Sequence, residues 1–144
     1  MANFKTLVVI GLVMLSQSVC SQIFSKENKP MKQFSLLVRV PETYTSEQAK
    51  AVYPEWEALL ENWKNSGVYV ISFAFPGESY TITGAKKEVK EETVLSNNLK
   101  VVSNLVVQVE NREQALELSK SIPILVYGGS VEVREIPNPI VLCP

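Results

Sequence analysis

The segment from Thr45 to Gly67 constrains this chain's fold more than any other, because it reads as one long amphipathic helix between two strands. Ala49, Val52, Tyr53, Trp56, Leu59, Leu60 and Trp63 recur at three- and four-residue steps and form one apolar stripe, while Glu55, Glu61 and Lys64 fall elsewhere. Thr45 and Gln48 have the spacing of a capping box, in which each side chain accepts from the other's backbone N–H. Gly67 supplies a left-handed stop. Pro54 lacks the N–H that the helix ladder needs, so it predicts a kink or a restart at that point.

The flanking segments alternate with period two. Phe34, Leu36, Val38 and Val40 fall on one face of a strand, with Ser35, Leu37 and Arg39 on the other, and Pro41 ends it. Val68 to Phe75 is a second strand, closed by the Pro76-Gly77 turn. Glu78 to Thr83 reads as a shorter, more polar strand, with Tyr80 and Ile82 on one face. Gly84 to Asn98 is charged and polar and reads as an exposed hairpin or loop. Val101 to Glu110 is the next strand. Asn111 and Gln114 predict a second capping box, opening a helix buried through Ala115, Leu118 and Ile122 and ended by Pro123. Val131 and Val133 alternate with Glu132 and Arg134 in a last strand, and Pro137 and Pro139 mark a tail, 137–144.

The order β-α-β-β-β-α-β, with helices after the first and fourth strands, predicts an α+β fold of ferredoxin-like βαββ(β)αβ type: an antiparallel sheet with both helices on one face. A sheet covered on one side leaves the other bare, and a second copy of the chain related by a two-fold axis covers it most simply. The length of 144 residues fits one domain, placed at 31–136.

Residues 1–21 have the parts of a secretory signal: Lys5, an uncharged run from Leu7 to Leu15, and small or uncharged residues from Ser16 to Ser21. The run is shorter than the ~20 residues a spanning helix needs. Cleavage after Ser21 or Cys20 is expected. Acylation of Cys20 and an uncleaved anchor are the competing readings, although Gln17 and Val19 depart from a lipobox. Residues 22–30 form a polar linker. Cleavage after Ser21 removes Lys5 and Cys20, leaving 13 basic against 15 acidic side chains and Cys143 as a lone thiol. The expected location is secreted or periplasmic, with no membrane association after cleavage.

The chain contains no histidine, and all 15 acidic residues are glutamates. The usual proton shuttle near neutral pH is therefore missing, along with Ser-His-Asp and Cys-His constellations and His-containing zinc sites. No acidic loop of EF-hand type and no phosphate-cradling glycine loop is present, so neither a metal nor a cofactor is implied. Basic clusters are short and interrupted by Glu, which argues against nucleic acid. The mixed run Lys86-Lys87-Glu88-Val89-Lys90-Glu91-Glu92 reads as a solvated surface.

One stretch resembles a known family. Gln114-Ala115-Leu116-Glu117-Leu118-Ser119-Lys120-Ser121-Ile122-Pro123-Ile124-Leu125, followed by Tyr127-Gly128-Gly129-Ser130-Val131-Glu132-Val133-Arg134-Glu135-Ile136, is similar to the C-terminal signature of the YCII-related, or DGPF, proteins. Met31-Lys32-Gln33-Phe34-Ser35-Leu36-Leu37-Val38-Arg39 is similar to their first strand, and the helix bearing Trp56 and Trp63 has a Trp-containing counterpart. The resemblance implies a ferredoxin-like domain that pairs into a dimeric α/β barrel, with a pocket between sheet and helices. It also implies, for some members, isomerase or dehydrochlorinase chemistry on muconate-like acids through a His-Asp pair. This chain departs from the pattern there. Leu95-Ser96-Asn97-Asn98-Leu99 stands where the Asp-Gly-Pro-Phe motif belongs, Val102-Ser103-Asn104-Leu105 replaces glycines of the next strand, and the His-Asp pair is missing.

Each candidate site residue has a functional and a structural reading. Arg39, on an otherwise apolar strand, suits a carboxylate clamp or an edge ion pair. Tyr53, Trp56 and Trp63 suit a pocket for a flat ligand or plain packing. Glu57 is the candidate base, or a solvated helix residue. Ser96, Asn97 and Asn98 suit ligand hydrogen bonds or a turn that needs left-handed geometry. Tyr127 with Gly128-Gly129 suits backbone approach to a ligand or a tight turn. Three functions follow: a non-catalytic homodimeric module that binds a small molecule; an isomerase or lyase on a small organic acid, with Glu57 or a tyrosine as base and Arg39 as anchor; and an assembly module without a pocket. The enzyme requires Arg39 and a glutamate to converge on one cavity.

Overall fold

The computed structural model describes residues 30–141. The signal segment, nearly all of the linker, and Cys143 lie outside the described residues. The elements run β1 (Lys32–Pro41), α1 (Ser46–Asn65), β2 (Tyr69–Ala74), β3 (Tyr80–Thr83), β4 (Glu88–Glu91), β5 (Leu95–Ser96), β6 (Leu99–Val109), α2 (Arg112–Ser119), a 3-10 helix (Pro123–Tyr127) and β7 (Ser130–Ile136).

The main sheet is antiparallel, in the order β2-β6-β1-β7, with the short β5 also paired to β6. With two helices, this α+β arrangement is compatible with a ferredoxin-like fold. Phe34, Leu36, Val38 and Val40 of β1 are buried with Leu105, Val107 and Val109 of β6, under Val52 and Trp63 of α1, Ala115 of α2, and Ile122 and Ile124 after it. Both helices therefore cover one face of the sheet, and the space between is packed. The register places Gln33, Ser35, Leu37 and Arg39 of β1 on the opposite face, beside Asn104 and Val106 of β6 and Glu132 and Arg134 of β7. Val106 is buried yet lies outside the core cluster, in keeping with that second face.

The α1 caps follow the sequence. Thr45 Oγ1 accepts from the Gln48 N–H at 3.2 Å, and Gln48 Oε1 accepts from the Thr45 N–H at 2.9 Å. Gly67, at φ 73°, closes a Schellman motif in which Val68 N–H donates to Trp63 O and Gly67 N–H to Lys64 O. Pro54 lies inside one unbroken helix, so the expected restart does not occur.

Four expectations need correction. The strand read at Glu78 to Thr83 does not join the main sheet: β3 pairs only with β4, forming a separate ribbon from part of the segment read as a loop. The second capping box is displaced. Asn111 Oδ1 accepts from the Gln114 N–H, but Gln114 Oε1 accepts from the Glu110 N–H rather than from Asn111's. The helix it opens ends at Ser119, and Pro123 begins the 3-10 helix instead of ending α2. The α1 stripe is only partly buried: Val52 and Trp63 are buried and Trp56, Leu59 and Leu60 half-buried, but Ala49 and Tyr53 are exposed, so the face that meets the core is narrower than the stripe.

Candidate functional site

A cleft of about 810 Å³ opens at the N-terminal end of α1. Four stretches wall it: the entry to α1 (Tyr44, Ala49), the turn after β2 (Phe75), the base of the ribbon (Tyr80) and the start of β6 (Lys100). Tyr44 precedes the Thr45 cap and Ala49 lies in the next turn, the two positions of a hydrophobic staple. Tyr44 N–H donates to Pro41 O at 3.0 Å, which folds the connection tightly. Its ring packs at a tilt on Tyr127, with centroids 5.8 Å apart. Burial, then the nearby Tyr127, pushes the Tyr44 phenol above its ordinary pKa, so it stays a neutral hydrogen-bonding group. Three aromatic walls with Lys100, Glu78 and Glu92 at the margin suit a flat, partly apolar molecule with polar substituents.

A second constellation lies on the helix-free face. Glu132 of β7 accepts from Arg39 Nη1 at 2.7 Å through one carboxylate oxygen and from Arg134 through the other. The Arg134 and then the Arg39 hydrogen bonds hold the Glu132 carboxyl below its ordinary pKa. Arg39 belongs to an interior strand, so it is not an edge charge, and only 14% of its side chain is exposed. Its Nε is buried without a partner among the described residues. The carboxylate that Arg39 clamps is thus the chain's own.

No protein-family model and no curated protein matches this chain.

The site geometry disperses the candidates. Arg39 and Glu57 do not converge: Arg39 lies on the bare face, and Glu57 is exposed on α1, across the sheet. Tyr53 is 59% exposed and lies beside Glu57, whose hydrogen bond and charge raise the Tyr53 pKa. Trp56 packs against the core and Trp63 is inside it. Ser96, Asn97 and Asn98 form the turn between β5 and β6, with Asn97 and Asn98 at φ 53° and 60°. That is the backbone of a type I′ hairpin turn, which asparagine tolerates. Gly128 takes the left-handed cap of the 3-10 helix, and Gly129 passes close under the Arg39 carbonyl. Of the candidates, only Tyr127 approaches the cleft, through Tyr44. Tyr44, Phe75, Tyr80 and Lys100 were not legible as a group. The staple spacing marks Tyr44, but nothing in the sequence brings the other three to it.

Proposed function

We propose that the chain is an exported, non-catalytic module of YCII-like type that works as a homodimer and holds a small molecule in the cleft beside Tyr44. The observation that carries this reading is the convergence of Tyr44, Phe75 and Tyr80, from three separate stretches, on one open volume. Dimerisation is supported by the helix-free face, where Phe73 of β2 is 47% exposed and Leu37 is only partly covered. Closing two such faces on each other gives the dimeric α/β barrel that the resemblance implies. Export is supported by the charge, apolar run and small residues of positions 1–21.

An isomerase or lyase needs a free base beside its carboxylate anchor. Glu57 is across the sheet from Arg39, and Glu132 is committed to two arginines, which keeps it a weak base.

Native mass spectrometry of the protein purified from its own producer tests the reading. A dimer carrying a stoichiometric extra mass, lost on replacing Tyr44 by alanine, is the expected result. A bare monomer refutes both the dimer and the bound molecule. Intact mass starting at Gln22 or Ser21 is the expected signature of export.

A further inference from the structure

The main sheet has two edge strands, and they differ. β2, at one edge, carries an extra residue, Val70, between Tyr69, which pairs with Val107, and Ile71, which pairs with Val106. A bulge of that kind twists an edge away from other strands. β7, at the other edge, pairs with β1 in unbroken register and contains no proline. No strand lies beyond it among the described residues. The chain that follows β7 turns inward instead of covering it. The Gln33 side chain of β1 donates to Ile140 O at 3.0 Å and accepts from Ile140 N–H at 2.6 Å, which holds the tail on the helix-free side of β1. β7 therefore presents a regular edge of 7 residues with its outward backbone groups open to another strand.

The sequence of β7, Ser-Val-Glu-Val-Arg-Glu-Ile, is complementary to itself. Two copies joined edge to edge about a two-fold axis normal to the sheet run antiparallel, and residues directly opposite share a face. With the axis at Val133, every residue from Ser130 to Ile136 is paired. Glu132 of each copy then stands opposite Arg134 of the other, and Val133 stands opposite Val133. Moving the axis to Glu132 or to Arg134 shortens the ladder and sets like charges against each other. Opposite charges directly across a ladder stabilise it, and like charges oppose it. Arg134 is 69% exposed, so its head is free to turn from its own Glu132 to that of the second copy, while Arg39 stays on Glu132. Glu135 falls opposite Val131, and its charge is already met by Lys32 at 2.8 Å. On the helix side, an open groove of about 530 Å³ between α2 and β7 is lined by Leu116, Leu125, Val131 and Val133. The join brings two such grooves together along the axis and adds apolar burial to the backbone ladder.

We infer that the β7 edge is a self-association site whose partner is β7 of a second copy of this chain, so that two main sheets join into one continuous antiparallel sheet. The interface is isologous, with the ladder supplying adhesion and the crossed Glu132–Arg134 pairs supplying register. It is separate from the helix-free face proposed above for the dimer and leaves that face free, so the two interfaces can coexist.

The test is thiol cross-linking of the full chain at fixed concentration, with Cys20→Ser and Cys143→Ser so that one introduced cysteine is the only thiol. Val133→Cys lies on the axis, where opposite Cβ atoms are roughly 5 Å apart. Val131→Cys lies four residues along the ladder from its own copy, about 14 Å at ~3.4 Å per residue. A short bis-maleimide is expected to give at least about tenfold more covalent dimer from Val133→Cys than from Val131→Cys, in line with a reach that spans the first gap and not the second. Adding Arg134→Glu to Val133→Cys sets glutamate opposite Glu132 and is expected to remove most of that product. Equal yields at the two cysteines overturn the inference, and so does a Val133→Cys yield that Arg134→Glu leaves unchanged. The contrast between the two cysteines stands whether or not the Arg134 variant folds. A dimer by light scattering that gives no product at Val133→Cys overturns the edge interface and leaves the helix-free face as the dimer contact, because Val133 points to the other side of the sheet. A monomer by light scattering overturns both.

Discussion

A methyl group added at Gly129 has nowhere to go. A Cβ built there lies 2.7 Å from the Arg39 carbonyl oxygen and 3.0 Å from the Ile124 carbonyl oxygen, and it runs into Ile124 Cδ1. The Arg39 backbone cannot retreat, because Arg39 is held between Val101 of β6 and Ser130 of β7. Ile124 is 2% exposed, so its side chain has no free volume to enter. Overpacking a closed site costs ~1–3 kcal/mol, and backbone on both sides of the new group puts Gly129→Ala near the top of that range, about 3 kcal/mol. The neighbouring glycine provides the control. Gly128 has φ 76°, but its Cβ would meet only Pro41 Cγ at 3.8 Å, an ordinary contact. Gly128→Ala therefore carries only the left-handed backbone term, about 1 kcal/mol. Urea unfolding of the two variants beside the wild type measures the difference. With a slope of ~1–3 kcal/mol per molar, a difference of about 2 kcal/mol places the urea midpoint of the Gly129 variant roughly 0.7–2 M below that of the Gly128 variant. Equal midpoints, or a lower one for Gly128→Ala, would refute the argument and return the glycine pair to a simple turn requirement.

Three further outcomes follow from the packing and charges. Trp63→Ala removes a side chain that is 3% exposed at the centre of the core and should cost ~3–5 kcal/mol by urea unfolding, whereas Tyr53→Ala on the same helix should be nearly silent. Asn98→Gly should leave stability unchanged or improve it, because φ 60° suits glycine, while Asn98→Val should lower the urea midpoint clearly. Glu132, whose folded pKa is below its ordinary value, contributes stability that is present above the ordinary carboxylate range and lost as pH falls through the depressed folded pKa. The gap in unfolding midpoint between wild type and Glu132→Gln should therefore be widest near neutral pH and close on acidification, and a gap that stays constant would contradict the ion-pair reading.

The parts of the fold that were legible are those fixed by local backbone chemistry. Thr45 and Gln48 announce a cap because their reach to each other's N–H groups spans three residues. Phe34 to Val40 announces a half-buried strand because its period is two, and β1 buries just those four apolar residues. Tyr53 was misread because a stripe tells which residues share a helix face, not how much of that face the core covers: Val52 is buried, while Tyr53 beside it is not. The ribbon was misread for a related reason: Glu78 to Thr83 has a strand pattern, but the pattern names no partner. Arg39 shows the same limit at the site. Its strand and face could be read, while its partner Glu132, far along the chain, could be found only once β1 and β7 were side by side.

Arg39 also links the Glu132 ion cluster to the cleft at Tyr44. Its side chain meets Glu132 on the open face of the sheet, and its carbonyl lies under Gly129, where the chain leaves the 3-10 helix for β7. That 3-10 helix ends at Tyr127, whose ring leans on Tyr44, and Tyr44 forms a wall of the cleft. One joint between β1 and β7 thus fixes both the ion cluster and the aromatic wall. The Gly128-Gly129-Ser130-Val131-Glu132-Val133-Arg134 stretch provides Gly129, Glu132 and Arg134 of this joint. Its content here is architectural: glycine for close passage, and Glu132 to neutralise an arginine that the sheet would otherwise hold nearly buried and unpaired. The stretch therefore fixes the joint between β1 and β7, while the character of the cleft is set elsewhere, by the side chains around Tyr44.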